Sequence, residues 1–421
     1  MNCSTSFLNP IMSKNPGKIV EGVFAINKPP SISSAQVIRN LQSHFNPSKL
    51  FAPWIAAERA HRDAEAPRER RRRKDKSVQV KIGHGGTLDP MATGVLIMGI
   101  GKGTKQLQGF LECTKSYEAT VLFGAATDTY DVLGKVLRRA EYKHVTREGV
   151  EKVLARFRGN IMQRPPIYSA LRMQGKRLYE YAREGKEIPR EIQERPVKVE
   201  ELEIVEWLDG GTHASSLPKE EAEVEAKELA EKVLKLDGAV STSEKAVGKD
   251  VNGVKREREL DDVDDVRTTH KRRAQEDEEV DSQTLMSGAL QSPDENPTYP
   301  AESIDSATAD ADSHESSQQT SLPPDKGPPA VKLRMTVTSG FYVRCLSHDL
   351  GEAVGSLACM SELMRTRQGE FELGRNVMEY EELDKGEDVW GPQVERLLGK
   401  WEERNDRSDG NVSRTEGGRG E

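Results

Sequence analysis

Long apolar runs are missing from this sequence. No stretch of 18 or more apolar residues occurs, so no membrane-spanning helix is expected. Aromatic residues make up only 5% and hydrophobic residues 35%. Both are low for a wholly globular chain, so part of its length is expected to stay outside any core. Cysteine is scarce. Cys3, Cys113, Cys345 and Cys359 lie at wide, irregular spacings without a CxxC pair, which excludes a disulfide framework and points to a reducing, intracellular compartment. Residues 1–20 contain no acidic side chain but two lysines and several serines. That balance is faintly that of a mitochondrial presequence, yet arginine and an obvious amphipathic helix are lacking, and a flexible N-terminal tail fits as well. A secretory hydrophobic region is also absent.

What is present is charge, unevenly spread. The chain has 421 residues, with 62 Lys and Arg against 70 Asp and Glu, a net charge of -8. Taken whole, that sign argues against a polyanionic partner, because nucleic acid is held largely by cations on phosphates. Residues 209–328, however, hold 29 acidic and 14 basic side chains, and residues 375–421 hold 13 and 8. The remaining body, 1–208 with 329–374, has 28 acidic and 40 basic residues, a net of +12. That body is long enough to bury a sizeable core.

Periodicity places the elements. Gly22–Lys28 reads as a strand closed by Pro29-Pro30, and Ser33 or Ser34 caps a helix with Val37, Ile38 and Leu41 on one face. A polar insert, about 48–77, carries the basic run Arg68–Lys76, which suits a solvated face, a nuclear localisation signal or an RNA-contacting arm. Val78–Ile82 and Ala92–Met98 read as strands, Thr104–Leu111 as a short helix, Lys115–Phe123 as a strand and Thr146–Phe157 as a Thr-capped helix. Leu178–Glu184 reads as a short helix and Val197–Leu208 as a further strand. Residues 209–328 are nearly free of aromatics and cannot bury enough apolar surface to order themselves, except for a charged helix expected near Lys219–Leu236. Val331–Val337 is expected to pair with Val197–Leu208 across that insertion. A helix over Tyr342–Val354, a strand after Ser361 and a short acidic tail from residue 375, with one helix near Pro392–Glu403, complete the chain.

Three local patterns carry chemistry. The loop Gly83-His84-Gly85-Gly86-Thr87-Leu88-Asp89-Pro90 ends a glycine-rich turn in a carboxylate whose backbone Pro90 restricts. A carboxylate fixed on a rigid turn suits covalent catalysis, and a structural turn with Asp as a local cap would use the same residues. Gly99–Lys105 lacks the order of a phosphate loop; its amides could still meet a backbone phosphate. Arg344 stands at the start of a helix, where the helix dipole disfavours a cation, so either a carboxylate partner or solvent must face it. Cys345 and His348 share a helical turn, but no second pair accompanies them, so no metal site is expected.

Together these segments resemble the TruB-type pseudouridine synthases. The resemblance rests on Gly83–Leu96, Ala25-Ile-Asn-Lys-Pro29, Lys115-Ser-Tyr117, Pro165–Leu171 with Gln174-Gly-Lys176 and Tyr179–Gly185, and Ser339–Arg344 with Asp349-Leu-Gly351, in that family's order. The two inserts and the short tail are similar to the fungal tRNA pseudouridine-55 synthases. The resemblance implies an α+β pseudouridine-synthase fold: a central mixed, mainly antiparallel sheet flanked by helices, a catalytic loop in a central cleft, and no PUA domain. It implies a catalytic domain of 21–208 with 329–374, isomerising uridine 55 in the T loop of tRNA, with some mRNA uridines as further candidates. Asp89 would be the nucleophile, Tyr117 the proton acceptor against the flipped base and Arg344 the partner of Asp89. His84, Lys28, Tyr342 and Leu363 would hold or buttress the substrate. No cofactor or metal is implied, and the chain is expected to act as a monomer on the T-arm, in the nucleus or mitochondrion and away from membranes. Met91 stands where the family usually has Leu, and Phe341 where it usually has Thr. A guide-RNA-dependent rRNA synthase and an RNA-binding tRNA-folding chaperone are the alternatives.

Overall fold

A computed structural model describes residues 17–65, 77–186, 188–224, 227 and 326–415, with side chains to residue 404. The basic run Arg68–Lys76, residues 1–16 and most of the acidic insertion, including the helix expected near Lys219–Leu236, lie outside the described residues. The chain divides into two compact units, residues 1–221 with 288–421, and residues 222–287. Of the second unit only residues 222–224 and 227 are described, ending in helical turn around Val224 and Lys227.

The first unit is built on one ten-stranded sheet. Its strands are β1 (Gly22–Lys28), β2 (Ile82–His84), β3 (Thr93–Ile100), β4 (Lys115–Phe123), β7 (Gly159–Gln163), β10 (Arg195–Leu208), β11 (Ala330–Val337), β12 (Ala358–Gln368), β13 (Phe371–Glu372) and β14 (Met378–Glu379). The order is β14-β1-β3-β12-β4-β11-β10-β7, with β2 on β3 and β13 on β12. The β1–β14 and β3–β12 pairs are parallel and the other pairs antiparallel. Two hairpins lie outside the sheet, β5 (Ala125–Thr127) with β6 (Val136–Arg139), and β8 (Arg172–Met173) with β9 (Lys176–Arg177). Helices α1 (Ser34–Phe45), α2 (Ala52–Ala64), α3 (Leu107–Glu112), α4 (Arg147–Leu154), α5 (Leu178–Arg183), α6 (Val343–Ala353) and α7 (Glu387–Thr415) complete the α+β architecture. No described helix is long and apolar enough to cross a membrane.

The alternation of Lys115–Phe123 makes β4 a central strand, with Tyr117, Ala119 and Val121 on the buried side. The pairing of β10 with β11 across the insertion is as the patterns predict, from Val199 opposite Val337 to Leu208 opposite Ala330. The insertion leaves and re-enters at one point, since a Cβ on Gly210 would stand 2.0 Å from the carbonyl oxygen of Gly327. Its first residues are held to the body: Val136 N–H donates to the Glu220 carbonyl at 2.8 Å, and Arg139 pairs with Glu221 at 3.1 Å. The single helix predicted from Thr104 is a 3-10 turn over Gly101–Gln106 followed by α3. The Gly99–Lys105 glycines serve packing: a Cβ on Gly103 would lie 2.0 Å from the carbonyl oxygen of Gly22.

Two segments that composition sets aside as appendages belong to the core. In the expected polar insert 48–77, Phe51 is fully buried, and α2 buries Trp54 and Ile55. The expected acidic tail after Gly374 adds β14 to the sheet and places Met378, Leu383, Trp390, Val394 and Leu398 in the core. Phe45 stacks on Phe51 at 4.6 Å and meets Trp390 at 5.0 Å, joining α1, the start of α2 and α7. Composition misleads because Trp390, Val394 and Leu398 of α7 face the core while Asp388, Glu395, Glu402 and Glu403 are exposed. Truncation of Trp390 to Ala is expected to cost about 3–5 kcal/mol, as for other buried tryptophans. Denaturant titration checks this, and an unchanged midpoint would return residues 375–404 to the status of a tail.

Candidate active site

The loop Gly85–Ala92 connects β2 to β3, and its shape is dictated from beneath. Gly83 and Gly85 leave room for α3, since a Cβ on either would meet Leu107 or Phe110 at 3.1–3.2 Å. Gly86 sits at φ +130, where only glycine is unstrained. Gly83 and Gly85 thus admit a helix behind the loop. Two buried side chains from β12 hold the loop carbonyls. Gln368 Nε2 donates to Gly85 at 2.5 Å, and Arg365 Nη2 donates to Gly86 at 3.2 Å. Arg365 Nε also donates to Val95 at 2.7 Å. Gly94 is required where β3 passes this strand, because a Cβ there would stand 2.3 Å from the Arg365 carbonyl oxygen.

Asp89 is clamped on both sides. The Ser34 hydroxyl, in α1, accepts from Leu88 N–H at 3.0 Å and donates to Leu88 O at 3.2 Å. On the other side the fully buried Lys28, last residue of β1, sends its ammonium to the carbonyls of Pro90 and Ala92 at 3.0 and 2.6 Å, and to that of Pro29 at 2.7 Å. Ala92 N–H closes the turn on the Asp89 carbonyl at 3.1 Å. Burial pulls the Lys28 ammonium down to about 8, with Asp89 acting to raise it. Lys28 therefore stays charged at neutral pH and fixes the backbone that carries Asp89.

The carboxylate partner anticipated for Arg344 is Asp89. Arg344, in the first turn of α6, donates from Nε to Oδ2 at 2.9 Å and from Nη2 to Oδ1 at 3.2 Å. Such a bidentate pair is charge-assisted and fixed in orientation. Two of the three remaining guanidinium hydrogens reach Thr129 O (2.9 Å, from Nη1) and Tyr168 O (3.0 Å, from Nη2). The Asp131 carboxylate lies 3.9 Å from Nη1, and its own Oδ1 accepts from Thr129 Oγ1 at 2.7 Å and Leu133 N–H at 3.0 Å. Burial pushes the Asp131 carboxyl upward, with Thr129 and Arg344 working against the rise. Arg344 is 7% exposed, whereas the Asp89 side chain keeps 31% of its surface open. The cation is sealed behind the pair and the carboxylate faces outward, so a ligand would meet the aspartate first.

The other sequence candidates lie on the strands and helix of the same unit. Tyr117 is buried on β4, opposite Arg365 of β12 and Met335 of β11. Leu363 is buried on β12, and its carbonyl accepts from Thr93 Oγ1 at 3.4 Å. Tyr342 caps α6, where Gln163 of β7 takes both its backbone groups, at 2.9 and 2.7 Å. Cys345 and His348 are separately engaged, the thiol with the Arg164 carbonyl at 3.3 Å and the ring with Tyr130. Ser34, Gln163, Arg365, Gln368 and the segment Thr129–Asp131 join the site without a sequence signal that assigns them to it. The cluster Thr127-Asp-Thr-Tyr-Asp131 was the available hint, a dense run of turn-forming polar residues directly after a buried strand.

His84 stands at the end of β2, and its Nδ1 is buried without a partner. Burial, helped by Arg365 and Arg177, lowers its ring to about 4. It is neutral at physiological pH and can offer a base a flat face, not a charge. Between pH 6.5 and 4 the unfolded ring binds a proton more readily than the folded one, so acid favours unfolding over that window. Asp349, raised to about 7 by burial, acts in the opposite sense. The His84 contribution is therefore read as a difference. The stability of the native chain relative to His84→Phe should fall by up to roughly 3 kcal/mol as pH drops from 6.5 to 4, measured by denaturation at each pH.

Residues 72–226 match the model of the TruB family pseudouridylate synthase (N terminal domain). The chain is 40% identical over 356 residues to "tRNA pseudouridine synthase 4" of Schizosaccharomyces pombe, covering 84% of this chain and 79% of that protein. It is 31% identical over 390 residues to the protein of the same name from Saccharomyces cerevisiae, covering 90% and 85%. With "Pseudouridylate synthase TRUB1" of Mus musculus it shares 39% identity over 188 residues, 45% of this chain and 51% of that one.

Proposed function

This chain belongs to the TruB family of pseudouridine synthases, and from that premise we propose that it isomerises the T-loop uridine at position 55 of tRNA. The formation of pseudouridine in tRNA follows from relatives matched over most of their length. The observation that carries the reading of the site is the outward-facing Asp89 carboxylate, clamped through Leu88 and Pro90 and paired in two bonds with a sealed arginine.

The chemistry follows from that geometry. A reaction at the glycosidic bond needs the nucleotide out of its stack, because the bond is inaccessible inside a folded loop. Asp89 attacks the everted uridine, at ribose C1′ or at the base. The C1′–N1 bond breaks, the uracil turns while held, a C1′–C5 bond forms, and the bond to Asp89 breaks to release its carboxylate. The proton leaves C5 and N1 gains one, so the net change is an isomerisation. Arg344 holds the Asp89 carboxylate aimed through two hydrogen bonds, Tyr117 accepts the C5 proton, and the neutral His84 ring lies against the displaced nucleotide. Lys28, Tyr342 and Leu363 shape the pocket from behind. Some mRNA uridines are candidates for the same chemistry.

An unmodified tRNA transcript incubated with the purified chain should gain one pseudouridine, at position 55, with no added metal or cofactor. Product at another tRNA position would displace the T-loop assignment and leave the family chemistry intact. Replacement of that uridine by cytidine should abolish product while tRNA binding persists.

A further inference from the structure

We propose that His348 is a positioning residue, one that aims Arg344, and through it Asp89, by stacking on Tyr130. His348 lies one helical turn beyond Arg344 on α6, so both side chains leave the same face of the helix. Its ring lies flat on the Tyr130 ring, with centroids 4.2 Å apart and planes inclined by 8°. Tyr130 has φ +64, a left-handed backbone that a bulky residue adopts only when its surroundings impose it.

Tyr130 stands between the two groups that face Arg344 from behind. The Thr129 carbonyl accepts from Nη1 at 2.9 Å, and the Asp131 carboxylate is 3.9 Å from the same nitrogen. The loop backbone is tied to β12 by Met360 N–H to Tyr130 O and Val132 N–H to Met360 O, both 3.0 Å. Those two bonds fix the loop against the sheet. The stack fixes it against α6, the element that carries Arg344. One helix thus presents the guanidinium and, a turn later, the surface that sets its acceptors.

The ring nitrogens support stacking as the function of His348. Nδ1 is buried without a hydrogen-bond partner, and Nε2 is 3.7 Å from the Glu352 carboxylate, beyond hydrogen-bonding distance. A histidine kept for its polar atoms would have them satisfied, since an unpaired buried nitrogen is costly. Burial also lowers the ring's proton affinity and so favours the neutral form. The aromatic face is what remains in use.

This rests on the reading of Asp89 and Arg344 as the reacting pair, so Asp89→Asn accompanies the test. Single-turnover and steady-state rates are measured on an unmodified tRNA transcript with the full chain. His348→Leu, which keeps bulk and loses the aromatic face, is expected to lower the single-turnover rate about tenfold, with Kd and KM for tRNA within twofold of native. His348→Phe is expected to restore the rate to within twofold. Tyr130→Ala should match His348→Leu, and the double variant should lose no more than either single one. Thermal melts at each substitution verify folding at the assay temperature. Should His348→Leu fail to fold, the comparison of His348→Phe with Tyr130→Ala decides by the same rates. A native rate without the stack, a His348→Phe as slow as His348→Leu, or a loss confined to KM would overturn the positioning role. An active Asp89→Asn would instead overturn the reading of the pair itself.

Discussion

Asp89→Asn is expected to abolish pseudouridine formation, by a factor on the order of 10⁴ or more, the scale seen when a nucleophile is removed. The substitution is a clean probe because it alters chemistry more than structure. An asparagine Oδ1 can still accept one hydrogen bond from Arg344, and the backbone clamp acts on Leu88, Pro90 and Ala92, not on the Asp89 side chain. Melting temperature and tRNA affinity should therefore change little. Pseudouridine mapping on a tRNA transcript reads the loss. The same variant separates the enzyme from an RNA-folding chaperone, because a chaperone would keep its cellular role without the carboxylate. Substantial product from Asp89→Asn would sink the covalent reading.

Arg344→Lys is expected to be nearly as damaging, with kcat reduced on the order of 10²–10³-fold, equivalent to roughly 3–4 kcal/mol of lost transition-state stabilisation. Lysine keeps the charge but not the fork. Arg344 satisfies both oxygens of Asp89 and the carbonyls of Thr129 and Tyr168 at once. An ammonium with three donors on a flexible stem cannot span that set. Two buried carbonyls and one carboxylate oxygen would lose their partners, and Asp89 would lose its fixed aim. The prediction is specific in its split: kcat falls while KM for tRNA stays near native, because Arg344 is sealed behind Asp89 and does not face the RNA. A variant that lost affinity and kept kcat would place Arg344 in substrate binding instead.

Much of this site is legible in the amino-acid sequence. The glycine loop ending in Asp89-Pro90 stands out locally, because glycine and proline declare their backbone demands at the residue where they occur. The odd position of Arg344 at a helix start also carries a usable inference, an absent carboxylate, and the partner proves to be 255 residues away. What stays hidden are groups whose work depends on distant contacts. Ser34 reads as a helix cap, and its part in holding Leu88 exists only because α1 and the loop meet. Arg365 and Gln368 read as polar residues at the end of a strand. Buried, they are the scaffold of the glycine loop. The core role of residues 378–398 is hidden for a related reason. A stretch can be acidic on average while its few apolar residues share one face.

Few aromatics and a net charge of -8 describe a chain whose acidic insertion dilutes a basic body, while composition alone also sets aside Met378, Trp390, Val394 and Leu398, which the core includes. Spacing and backbone preference within short windows suffice for most element types, for the strand pairing across the insertion and for the carboxylate on its rigid turn, but they miss α2 and β14 in segments of polar composition. The fold adds what short windows leave out: the two-bond geometry by which Arg344 meets Asp89, the face of the carboxylate that stays open and the buried side chains that hold the loop. Those outcomes depend on desolvation and on bond geometry between residues far apart in the chain, and no local pattern encodes them.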